Sequence, residues 1–152
     1  MMKHMKMRQS IEDDEFWTPM DVYEKLCGMY QVNPKLDAAA NEDNKKCDFY
    51  LTNAIFEEWT LPCQEVVDVW CNPPHTLTLQ FITRAHYQYQ KYGMNIMMIV
   101  PANVMSTEVW HKYVENQVEY HGIEGRIRFR KHGLQSEFPS RNAYVVILWR
   151  KR

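Results

Sequence analysis

Two prolines in succession, Pro73 and Pro74, stand directly behind a run of strand-favouring residues, and that junction constrains the fold more than any other stretch. Val66, Val67, Val69 and Trp70 favour an extended strand. Proline has no N–H to give to a ladder, so the strand must end near Cys71. The turn that follows offers carbonyl acceptors, and the side chain of Asn72 adds another on its oxygen. A group with two hydrogens on one nitrogen, such as an exocyclic amine or a planar amide, matches that corner. It would donate one hydrogen to the Asn72 side-chain oxygen and the other to the Pro73 carbonyl, which draws its lone pair out of conjugation and aims it at an electrophile. Asn-Pro-Pro alone is also a plain strand-ending turn. Its place at the carboxyl end of a buried-looking strand, where open α/β sheets bind ligands, favours the functional reading.

A chain of 152 residues, 45% apolar and 24% charged, suits one globular domain with a single core. The expected division is a charged tail over residues 1–14 and one domain over 15–152. A formal net charge of -1 excludes coating of nucleic acid through bulk charge, so any such contact has to be local. Arg126, Arg128, Arg130 and Lys131 form one local basic group. Cys27, Cys47, Cys63 and Cys71 make no CxxC pair and no ordered spacing with histidine. No metal site is therefore expected, and a reducing, cytoplasmic compartment is the default. The apolar run at Ile96 to Val100 is far too short for a membrane span, and no apolar core follows the charged start, so neither an anchor nor a secretory leader is expected.

Along the chain, Thr18 and Pro19 read as the cap and first position of a helix whose apolar face is Val22, Tyr23, Leu26, Met29 and Tyr30. Asn33 and Pro34 break it. A short strand through Leu36 then ends at Asp37 and opens into Ala38, Ala39 and Ala40, small residues that let another molecule approach the backbone. After a polar stretch with an extended piece at 48–52, the segment from Leu79 to Tyr92 reads as an amphipathic helix closed by Gly93. A buried strand stopped by Pro101 follows, then a helix capped by Ser106 and running to His121 and Gly122. Gly125 to Lys131 and Asn142 to Lys151 read as an antiparallel pair at a sheet edge, joined by a loop from His132 to Asn142. This order is an α/β three-layer pattern with a terminal hairpin, and it places Asp37, Asn72 and Pro101 together at the carboxyl edge of one sheet.

The segments FWTP, LDAAAN and CNPPH, with VPAN, GRIRF and the last apolar strand, resemble the small phage-type DNA N6-adenine methyltransferases, a Dam-like family of phages and prophages. The resemblance runs from about Glu15 to the C-terminus. It implies a compact Rossmann-like fold that uses S-adenosyl-L-methionine to methylate the exocyclic nitrogen of adenine in DNA. It also implies a role in restriction-modification or a related phage function. By position, Asn72, Pro73, Pro74 and His75 would form the catalytic motif. Asp37, Ala38 and Ala39 would form the cofactor loop, with Trp17, Thr18 and Pro19 closing over the donor and Asn41 and Asn44 nearby. His75 stands where that family usually has Tyr, Phe or Trp, and a neutral imidazole stacks over a smaller area. Alternate residues on a strand share a face, so Arg126, Arg128 and Arg130 would meet DNA phosphates together. Choice of DNA site would fall to loops such as Thr76 to Gln80 or His132 to Asn142, or to a second subunit in a homodimer. Two other readings stay open: the same fold acting on RNA or a glutamine amide, and a catalytically silent DNA-binding module.

Overall fold

In the computed structural model, residues 16–131, 134–136 and 138–151 are described, and the statements below concern these. The expected N-terminal tail lies outside them. Helix α1 spans Met20–Tyr30, α2 Thr78–Tyr92 and α3 Glu108–Tyr113. The strands are β1 Leu36–Asp37, β2 Phe49–Tyr50, β3 Val69–Cys71, β4 Ile96–Pro101, β5 Glu119–Gly122, β6 Arg130–Lys131, β7 Leu134–Gln135 and β8 Tyr144–Trp149. The fold is mixed α/β and Rossmann-like.

Six strands form one sheet in the order β2-β1-β3-β4-β8-β5. β2, β1, β3 and β4 pair in parallel, and β8 is antiparallel to both β4 and β5. The chain leaves β1 for β2 on one side and later returns to place β3 on the other, so the winding reverses between β1 and β3. A crevice at the carboxyl ends of the strands is expected at such a reversal. Asp37 ends β1 and Asn72 follows β3, so the two candidate residues flank it.

The central strands are buried on both faces, which is why β4 and β8 read as continuous apolar runs. Their residues still alternate between two cores. Ile96, Met98, Val100, Val145, Ile147 and Trp149 pack with Phe81, Ile82 and Ala85 of α2 and Trp110 of α3. Met97, Ile99, Val146 and Leu148 pack on the opposite face with Tyr23 and Leu26 of α1 and with Ile127 and Phe129. The period of two thus sorts one strand into two layers of packing.

Four local expectations change. Thr18 does not cap α1: Pro19 is the cap residue without a side-chain bond, because the Thr18 hydroxyl is buried and engaged by Asn72. Thr107, not Ser106, caps α3, its Oγ1 accepting from Trp110 N at 3.2 Å. α3 stops at Tyr113, short of the expected His121, since Asn116 takes a positive φ of 63° that ends helical winding and the chain continues as β5. Finally, the outer partner of β8 is β5 and not the Arg-rich segment. A C-terminal antiparallel hairpin does form, between β6 and β7, and Trp17 is bridged to Arg130 beside it.

Candidate active site

β1 delivers Asp37 almost wholly buried, at 2% exposure. Its Oδ1 accepts from Ala39 N at 3.1 Å and its Oδ2 from Lys46 N at 3.0 Å. The carboxylate therefore folds the chain after β1 around itself. Burial, opposed by these two amides, pushes its pKa up from 3.8 to about 6. Burial likewise lowers the Lys46 ammonium, against the attraction of Asp37. Ala38 N donates to Trp70 O at 2.9 Å and Ala40 N to Leu51 O at 3.2 Å, so the alanine loop is laced to strands on both sides.

β3 delivers the Asn-Pro-Pro corner next to it. Adjacent strands stand about 4.8 Å apart, so the two strand ends are close neighbours. Asn72 Nδ2 donates to the Phe16 carbonyl at 2.5 Å and to Thr18 Oγ1 at 3.0 Å. Both amide hydrogens are thereby placed, and the carbonyl oxygen Oδ1 remains as an acceptor. The segment that makes these bonds is itself held, since Trp17 and Arg130 exchange backbone bonds of 2.7 and 2.8 Å.

One cavity, with roughly 820 Å³ of empty space including its open mouth, joins these parts. Its wall contains Asp37, Ala38 and Ala39 on one side and Asn72, Pro73 and Pro74 on another. Trp17 and Thr18 border it as well. Three candidates do not. Pro19 lines a different hollow between α1 and residues 122–128. Asn41 instead shapes the turn after the alanines, its Oδ1 accepting from Asp43 N at 2.8 Å and Asn44 N at 3.0 Å. His75 stacks on Phe16 with ring centroids 4.6 Å apart, and its Nε2 pairs with the Tyr144 hydroxyl. Asn44, which exchanges hydrogen bonds with Asn41, does reach the wall.

Sequence reasoning missed Lys46, Thr52 and Asn53 as wall residues; Phe16, whose place before the helix suits either a staple to the core or a pocket border, lines the wall too. Thr52 and Asn53 follow β2, so the rule that nominated the carboxyl ends of β1 and β3 would have found them. Nothing local marks Lys46, which arrives through its backbone bond to Asp37.

Arg126, Arg128 and Arg130 are exposed and alternate with buried Ile127 and Phe129, so they share an outer face although only Arg130 belongs to a strand. Arg126 also donates to the Arg141 carbonyl at 2.7 Å.

The cavity suits an adenosyl sulfonium donor. Its alanine wall carries no side chain beyond Cβ, and its polar set combines the Asp37 carboxylate, neutral acceptors and the ring of Trp17, which favour a cation, with a Lys46 ammonium that donates to the Asn44 carbonyl. Among the described residues, no group of three or more His, Cys, Asp or Glu could hold a metal ion, and no helix is long and apolar enough to cross a membrane.

Residues 6–152 match the family model described as DNA N-6-adenine-methyltransferase (Dam). No curated protein matches the chain.

Proposed function

Since the chain belongs to the DNA N-6-adenine-methyltransferase (Dam) family, and is thereby an S-adenosyl-L-methionine-dependent enzyme methylating N6 of adenine in DNA, we propose how its residues divide that work. Asn72 Oδ1 and the Pro73 carbonyl accept the two hydrogens of the adenine amino group. The observation that carries this is the amide of Asn72, whose nitrogen is engaged by Phe16 and Thr18 and whose oxygen is left for substrate. Gripped in this way, the amino nitrogen presents its lone pair in the direction the corner dictates.

When bound, the cofactor supplies an electrophilic methyl group on a positively charged sulfur. Ala38 and Ala39 allow its close approach to the backbone, the Asp37 carboxylate offsets its charge, and Trp17 borders it. Thr18 shares that wall, and Pro19 supports the segment from outside the cavity. Asn41 acts through the turn it builds, setting the position of Asn44. His75 backs the site, and Phe16, which borders the cavity, offers the flat ring for an extruded base.

Arg126, Arg128 and Arg130 contact backbone phosphates from one face, which their shared exposure supports. The chain from residue 15 onward works as one methyltransferase domain of the phage type, in the cytoplasm of a host cell and within restriction-modification or a related phage function. The resemblance of the FWTP, LDAAAN and CNPPH segments supports that subtype. A homodimer would bring a second set of loops to the DNA site.

Calorimetry with S-adenosylhomocysteine tests the cofactor assignment. The wild-type chain should bind one equivalent, and Ala39→Leu, which fills the cavity wall, should abolish the heat. Undiminished binding by Ala39→Leu would place the cofactor elsewhere.

A further inference from the structure

We propose that Thr18, together with the main-chain carbonyl of Phe16, is a positioning residue for Asn72, and that this pair of acceptors makes position 72 require an amide rather than an acid. The inference rests on the reading of Asn72 as the acceptor for the adenine amino group. Thr18 stands on the cavity wall at 3% exposure, but its hydroxyl neither caps α1 nor faces solvent. It accepts from Asn72 Nδ2 at 3.0 Å, while the Phe16 carbonyl accepts from the same nitrogen at 2.5 Å.

A primary amide nitrogen carries two hydrogens, and here each has a partner. Rotating the amide by half a turn would set its oxygen against the Phe16 carbonyl oxygen, with no hydrogen between them. The flip is therefore opposed by the Phe16 carbonyl and gives up the bond to Thr18 as now made, so Oδ1 is held as the acceptor. An aspartate at position 72 would meet the same opposition in either rotamer. A threonine hydroxyl can turn to donate, but a backbone carbonyl cannot. Nor can that carbonyl easily withdraw, because Trp17 is pinned to Arg130 by two backbone bonds and the Phe16 ring lies on His75. The upstream segment is thus built into the catalytic corner and does more than cover the cofactor.

The test compares full-length Thr18→Val, Thr18→Ser and Asn72→Asp with wild type, measuring kcat, KM for unmethylated DNA and S-adenosylhomocysteine affinity. Thr18→Val, which keeps shape and removes the acceptor, should lower kcat about tenfold to a hundredfold, in the range expected for a misaligned reacting group. KM and S-adenosylhomocysteine affinity should stay within about threefold, the sign of an interaction that matters only to the reacting geometry. Thr18→Ser should restore kcat to within about threefold of wild type. Asn72→Asp should bind S-adenosylhomocysteine and fail to methylate. A Thr18→Val enzyme with wild-type kcat, a Thr18→Ser enzyme as impaired as Thr18→Val, or an active Asn72→Asp enzyme would each overturn the inference. So would loss of S-adenosylhomocysteine binding by Thr18→Val, which would put the hydroxyl's role in the cofactor site or the fold. A wild-type chain that leaves DNA unmethylated would instead overturn the underlying reading of Asn72.

Discussion

The ring of Phe16 lies on the imidazole of His75, with centroids 4.6 Å apart and planes inclined by 29°. Phe16 also meets Phe129 edge-on at 5.9 Å, and His75 Nε2 pairs with the Tyr144 hydroxyl. These four rings tie the upstream segment, the Asn-Pro-Pro corner and the last strand into one cluster. Phe16 borders the cavity and His75 does not, which is why the phenyl ring is the proposed surface for an extruded adenine.

Stacking of a base on an aromatic ring contributes about 1–3 kcal/mol. Phe16→Leu keeps the carbonyl that anchors Asn72 and removes the ring. Its kcat/KM for DNA should fall by roughly fivefold to a hundredfold, with S-adenosylhomocysteine binding intact, whereas Phe16→Tyr should remain active. Equal kinetics for Phe16→Leu and wild type would move the stacking surface to another ring.

Asp37 gives the fold a pH dependence of definite sign. Its pKa is about 6 in the folded chain against an ordinary 3.8, so between those values the folded state holds a proton that the unfolded state has lost. Its contribution to stability is present in full below pH 3.8 and is lost as pH rises through about 6. A displacement of about two units corresponds to roughly 3 kcal/mol. Asp37→Asn removes the titration, and also leaves one of the amides of Ala39 and Lys46 without its acceptor, so its net stability at neutral pH should change little. The informative quantity is the slope. Urea unfolding between pH 4 and 7 should show a fall in stability for wild type that is absent in Asp37→Asn, and parallel curves would show that Asp37 does not titrate there.

The legible parts of the sequence were those with local chemical causes. Pro73 and Pro74 end β3 because proline has no N–H to give the ladder, and Gly93 closes α2 because glycine enters the left-handed conformation without strain. The corner at Asn72 and the loop at Asp37 were legible for the same reason, as was their meeting at one sheet edge, which follows from parallel strands. What could not be read depends on contacts far apart in sequence. Thr18 reads locally as a helix cap, its usual use, whereas its partner in the fold is Asn72, 54 residues away. The helix expected to reach His121 ended early because Glu119–Gly122 finds its partner in β8, which lies further along the chain. The Arg-rich segment alternates as a strand would, yet it packs Ile127 and Phe129 under α1 and leaves β5 to cover the edge.

Arg126, Arg128 and Arg130 are the proposed phosphate contacts. Each phosphate contact releases counterions, giving a slope of about −0.9 per contact in a plot of log affinity against log salt. Replacing Arg128 and Arg130 together by alanine should reduce the magnitude of the slope by about two. Arg126→Ala should have a smaller effect, because its guanidinium already donates to the Arg141 carbonyl. The backbone bridge between Arg130 and Trp17 survives these changes, so S-adenosylhomocysteine binding should not alter. An unchanged salt slope in the double variant would show that DNA lies on another face.

The most direct measurement is nucleoside mass spectrometry of unmethylated DNA after incubation with S-adenosyl-L-methionine and either the wild-type chain or Asn72→Ala. The wild-type reaction should yield N6-methyladenine, and the Asn72→Ala reaction should yield none while still binding S-adenosylhomocysteine. N6-methyladenine formed equally well by Asn72→Ala, or none formed by the wild-type chain, would contradict the account.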